Sequence, residues 1–185
     1  MTYSIEKVIK ERRTIKRFKS TPIALETIEE LLTLATYAPN HKLREPWHFH
    51  VFLDEGKNKL IQGWKAAKES GKFPRPMKEE KLAQLKEVPV FIVVTMPIDP
   101  RHQVFEEDFA AVSASIQNFM LAAWEKEIGV LWNTEGSISD PIFRDAVGVT
   151  PGEKVVAILQ VGYPEMIPNL RERTPIAEKM TVHRV

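Results

Sequence analysis

The strongest constraint on what this 185-residue chain can fold into is a helical pattern from about Glu107 to Glu127 that is apolar on nearly every side. Phe109, Val112, Ile116, Phe119, Met120 and Ala123 fall on one side at helical spacing, and Ala and Ser fill much of the remainder. A helix buried all round runs through the centre of a domain or packs against a second subunit, because small residues let two backbones approach closely. The residues after Gly162, through Arg171, Arg173 and Pro175 to Val185, pose the opposite problem. They carry neither helical nor strand periodicity and need another surface to lie on. The length suits one substantial core, so the chain reads as a single domain over 1–185.

The other elements follow from local patterns. Ile5, Val8 and Ile9 repeat behind Ser4, a helix cap, and this helix ends near Arg12 or Arg13. A second amphipathic stripe predicts a helix from about Ala24 to Tyr37, closed off by Pro39. Trp47, Phe49, Val51 and Leu53 alternate with His48, His50 and Phe52, the period of a strand. Residues 57–87 read as helix, loop, helix, and Val90 to Thr95 as a buried strand. Gly129 stands at a C-cap distance from the long helix and precedes a short strand from Val130 to Asn133. Ser139 or Asp140 followed by Pro141 starts a helix that Gly148 stops, and Val155 to Val161 is the last strand. Helices and strands mix without strict βαβ alternation, which predicts an α+β fold.

Composition removes whole classes of function. With no cysteine there are no disulfides, thiolate metal sites, iron–sulfur clusters or cysteine nucleophiles. Lys plus Arg is 26 against 25 for Asp plus Glu, so no global field advertises a nucleic acid. Residues 57–87 do carry nine Lys or Arg against four Glu, but without exposed aromatic interleaving. They read as a solvated face or lid. No apolar run is long enough for a membrane helix and Met1 to Lys10 lacks a signal-peptide core, so the expectation is a cytoplasmic protein with no membrane partner. The motifs GxSxG, HExxH and GxGxxG are absent, and GVTPGEK at 148–154 has the wrong spacing for a phosphate loop.

What remains is a set of polar clusters. Arg12, Arg13, Thr14, Lys16 and Arg17 place four cations and a hydroxyl within six residues at a helix exit, the donor set a phosphate dianion wants. Basic residues also favour helix C-termini for dipole reasons alone. Arg171 and Arg173 either converge on the same anion from the other side or remain solvated. Asn40, His41 and Lys42 lie in a Pro-bracketed loop, where they either donate to a ligand or are satisfied by local backbone. Trp132, Asn133, Thr134, Glu135 and Gly136 end a strand, either meeting a ligand or simply connecting to the next helix. His48 and His50 point the same way, but with no third ligand at helical or loop spacing they read as solvent-facing rather than as a metal site. Glu106, Glu107 and Asp108, at the expected start of the long helix, read as dipole partners.

Six segments, RRTIKRF at 12–18, Ala38-Pro39, PWHF at 46–49, TEG at 134–136, GYP at 162–164 and RERTP at 171–175, occur in an order that resembles the FMN-dependent nitroreductase family over nearly the whole chain. The short length is most similar to its compact single-domain subgroup. The resemblance implies a mostly antiparallel sheet flanked by helices, a homodimer with FMN at the subunit interface, and a C-terminal segment exchanged with the partner. It implies that Arg12, Thr14 and Lys16 serve the FMN phosphate and pyrimidine, that Arg13 adds backbone or ribityl contacts, and that Arg171 and Arg173 complete the phosphate site. Asn40, His41 and Lys42 would reach the flavin from the partner, and Trp132 to Gly136 would supply N–H groups near N5 and O4. The implied reaction is hydride transfer from NADH or NADPH through flavin N5 to a nitroaromatic, quinone or similar small-molecule oxidant in a ping-pong cycle, with no side chain acting as acid or base. The alternatives are dehalogenation or flavin destruction on the same fold, or an FMN-binding sensor without NAD(P)H turnover.

Overall fold

The structure, a computed structural model, describes residues 4–184. In chain order it contains α1 (Ile5–Glu11), α2 (Leu25–Ala35), a 3-10 turn at His41–Leu43, β1 (His48–Phe52), α3 (Gly56–Glu69), α4 (Glu79–Glu87), β2 (Val90–Pro97), α5 (His102–Glu125) and β3 (Gly129–Asn133). A 3-10 turn at Gly136–Ser139, α6 (Pro141–Val147), β4 (Glu153–Gly162) and a last 3-10 turn at Ile176–Glu178 complete it. The four strands form one sheet in the order β1-β2-β4-β3, with every pair antiparallel. The fold class is α+β, as expected.

Both faces of the sheet are covered. On one, Ile92, Val94, Leu159 and Val161 pack against Ile28 and Leu31 of α2 and Val112, Ile116 and Phe119 of α5. On the other, Phe91, Val93 and Ile158 meet Trp64 of α3, Leu85 of α4 and Phe143 of α6. Strands covered on both sides need no polar alternation, which is why β2 and β4 are nearly continuous apolar runs. Local chemistry sets the ends of α1 and α6: the Ser4 hydroxyl accepts from the Lys7 N–H at 3.2 Å, and Asp140 Oδ1 accepts from the Ile142 N–H at 2.9 Å. Gly148 leaves α6 in the left-handed region at φ 74°.

Three expectations change. The long helix begins at His102, five residues before Glu107, so Asp108 lies in its second turn and is buried instead of flanking its start. Burial around α5 is not complete within one chain either: Glu106, Phe109, Ala110 and Gln117 leave an exposed strip along it. Gly129 is not the cap, because Glu127 takes the left-handed step at φ 61°. Gly129 is glycine for contact reasons, since a Cβ there would lie 2.4 Å from Ile15 Cγ1. The C-terminal tail is exposed at every residue from 165 to 184.

Candidate functional site

Ile15 and Phe18 are buried in the second core, and between them the chain is sewn to the sheet on two sides. Thr14 bridges Val130 in parallel, with the Ile15 N–H donating to the Val130 carbonyl at 3.2 Å. Further along, the Lys19 N–H donates to the Tyr163 carbonyl at 2.9 Å and the Glu165 N–H to the Arg17 carbonyl at 3.1 Å. Pinning the apolar residues inward turns Thr14, Lys16 and Arg17 outward, and the second pairing leads the start of the tail back past them.

The result is a cleft of about 670 Å³ in which Arg12, Arg13, Lys16 and Arg17 face Arg171 and Arg173, with Thr14 on the same wall. Among the described residues, six cations and no carboxylate line it. Arg12 Nη1 is buried with no hydrogen-bond partner. Its guanidinium pKa is lowered, first by burial and then by repulsion from Arg173 and Arg13. Arg13 is differently engaged: its Nη1 donates to the carbonyls of Lys10 at 2.8 Å and Arg12 at 3.0 Å, closing the end of α1. Guanidinium groups that line one cleft without a counter-charge, one of them partly buried, suit a multiply charged anion. The residues therefore fit the phosphate of a mononucleotide cofactor. Pro168, Asn169 and Leu170, which sequence reasoning passed over, complete the tail wall.

The other two expected segments do not line this cleft. In the 40–45 loop the Asn40 side chain is spent locally, donating to the Ala38 carbonyl at 3.2 Å and accepting from the Glu45 N–H at 2.9 Å. Lys42, Leu43 and Glu45 all have positive φ, and Arg44 anchors them through a two-pronged pair to buried Asp108 at 2.9 and 2.8 Å. The anchored loop holds His41 and Lys42 out in solvent.

In the 132–136 segment, Asn133 Oδ1 accepts from the Glu135 N–H at 2.9 Å. The Glu135 carboxylate turns inward, accepting from Trp64 Nε1 at 2.5 Å and the Ser137 hydroxyl at 2.7 Å and pairing with Lys68 at 3.2 Å. Thr134 and Gly136 stay exposed while the indole N–H of Trp132 is buried without a partner. The basic stretch of α3 and α4 is thus only partly solvated. Lys68 braces this loop, and Lys81, whose pKa burial lowers, senses Glu135, Lys16 and Lys68 together.

Burial raises the Glu135 pKa, but hydrogen bonds from Ser137, Lys68 and Trp64 outweigh it and hold the carboxyl below its ordinary value of 4.5. A depressed folded-state pKa contributes stability above the unfolded value and loses it as pH falls through the folded value. Glu135→Gln is therefore expected to lower stability at pH 7 and to flatten the acid limb below about pH 4.5. Urea unfolding from pH 7 to pH 3 reads both changes, and an acid limb identical to the parent's refutes the assignment.

Comparison with known proteins gives this arrangement its context. The sequence profile of the Nitroreductase family matches residues 9–163. The chain belongs to the nitroreductase family. YfhC of Bacillus subtilis, provisionally named an NAD(P)H nitroreductase, is 39% identical over 179 residues, covering 94% of this chain and 91% of YfhC. A nitroreductase-like family protein from Bacillus cereus superposes with a TM-score of 0.88 at 38% identity, over 100% of this chain and 99% of the other. The FMN-dependent nitroreductase NfnB of Mycobacterium smegmatis, solved in complex with NADPH, shares the fold with a TM-score of 0.78 at 18% identity over 97% of each chain. Among the described residues of this nitroreductase-family chain, no helix is long and apolar enough to cross a membrane.

Proposed function

We propose that this chain is an FMN-dependent oxidoreductase that takes hydride from NADPH or NADH and delivers it to a nitroaromatic, quinone or similar acceptor in a ping-pong cycle. The observation that carries the reading is the cationic cleft with its unpartnered Arg12 guanidinium. Arg12, Lys16, Arg171 and Arg173 would neutralise the cofactor phosphate, with Thr14 adding a hydroxyl and Arg13 its backbone. FMN, when bound, supplies hydride acceptance and release at its N5 atom, so no side chain is needed as acid or base. The exposed backbone at Thr134 and Gly136 offers donors to the ring, while the bond network of Glu135 keeps that loop in place.

The functional unit in this reading is one domain, 1–185, assembled as a homodimer in the cytoplasm. Three surfaces support the dimer: the exposed strip on α5, the loop holding out His41 and Lys42, and a tail that leaves Ile176 71% and Leu170 63% exposed. The exposed apolar residues of the tail suit cover by a partner, and the tail is the segment we assign to exchange between subunits. The deciding experiment is the visible spectrum of the purified protein dialysed with and without FMN, followed by anaerobic NADPH or NADH. A flavin spectrum that bleaches is the expected result. A bound flavin that neither nicotinamide bleaches favours a sensor without turnover, and no uptake of flavin overturns the reading of the cleft.

A further inference from the structure

A second polar cluster stands apart from the residues of the cationic cleft. His48 opens β1, His50 follows two residues on, and Glu153 opens β4. Alternation puts both histidines on one face of β1. In the register Thr95 of β2 lies opposite both His48 and Val155, so this face of β1 continues across β2 to the start of β4, where Glu153 precedes Val155 by two. Sequence reading left the histidines facing solvent for want of a third ligand. The antiparallel sheet supplies one from 105 residues away in the sequence.

The geometry is close. His48 Nδ1 lies 3.2 Å from Glu153 Oε1, the two imidazole centroids are 4.4 Å apart, and one ligand atom from each residue falls within 4.8 Å of the others. Ligands on one tetrahedral zinc sit about 3.3–3.5 Å apart, given bonds of about 2.0–2.2 Å, so small side-chain rotations suffice. The local hydrogen bonding is also incomplete. His50 Nε2, Glu153 Oε2 and the Thr95 hydroxyl are all buried without a hydrogen-bond partner. Buried polar atoms are ordinarily satisfied, and three orphans on one patch of sheet call for an additional group.

We propose that His48, His50 and Glu153 bind a divalent first-row transition ion, with zinc the best match to two imidazoles and a carboxylate. Three protein ligands leave a position for water or another donor, and nickel and copper compete for the same set. Bound there, the ion ties β1, at the edge of the sheet, to β4 across the width of β2. The site is independent of the flavin assignment, because none of its residues lines the cationic cleft.

The test is calorimetric titration of the full-length, flavin-loaded and chelator-dialysed protein with zinc chloride. One zinc per chain is expected in the micromolar range or tighter. His50→Ala and the near-isosteric Glu153→Gln should each weaken binding by more than about tenfold, with flavin content and secondary structure unchanged. Millimolar or weaker binding to the parent overturns the proposal. So does tight binding that survives in the combined His50→Ala, Glu153→Gln variant, because it places the ion elsewhere.

Discussion

Replacing Arg12 and Arg173 together by alanine is expected to weaken FMN binding by about two to four orders of magnitude while leaving the apo-protein at least as stable as the parent. Each guanidinium contributes a charge-assisted bond worth about 1.5–3 kcal/mol, and the pair therefore about 3–6 kcal/mol, at about 1.4 kcal/mol per decade. The apo-protein gains because Arg12 is half-buried, lacks a partner for Nη1 and is repelled by Arg173. Loss of a cation that only decorated a helix end would move stability and leave affinity alone. Flavin fluorescence titration and urea unfolding on the same samples separate the two, and unchanged affinity removes the phosphate assignment.

Gly129→Ala is expected to damage stability and cofactor binding at once. The new methyl would sit 2.4 Å from Ile15 Cγ1 and 2.8 Å from Ile15 Cβ. Ile15 is fully buried and β-branched, and its N–H is tied to the Val130 carbonyl, so it has no empty rotamer to retreat into. Relief requires the 14–16 segment to lift off β3, at about 1–3 kcal/mol for an overpacked site. The same segment carries Thr14 and Lys16 into the cleft, so flavin affinity should fall with the melting temperature. Wild-type affinity at a lowered melting temperature would show that the cleft does not depend on this pairing.

Most of the architecture was legible because its signals are local. Ser4, and Asp140 with Pro141 and Gly148, mark helix ends by bonds spanning two or three residues. The early start of α5 was hidden for the same reason, since Arg101 at its N-cap makes no side-chain bond to the helix. The chemistry of the cleft was legible in residue types at both ends of the chain, but the pairing of 17–19 with 163–165 that brings those ends together was not. The wholly unread contacts are long-range: Arg44 finds Asp108 64 residues away, and Trp64 finds Glu135 71 residues away. In each case a charged side chain was claimed by a partner that only the tertiary fold brings near.

The two walls of the cationic cleft come from opposite ends of the polypeptide, 12–17 and 166–173, whereas the sheet is complete at Gly162. During synthesis the 12–17 wall is made before the sheet and the 166–173 wall after it. The sheet and the cores on its two faces lie upstream of the tail, so every residue of the scaffold precedes the second wall of the cleft. A chain cut after β4 would keep the residues of the sheet and of both cores and lose the 166–173 wall of the cleft.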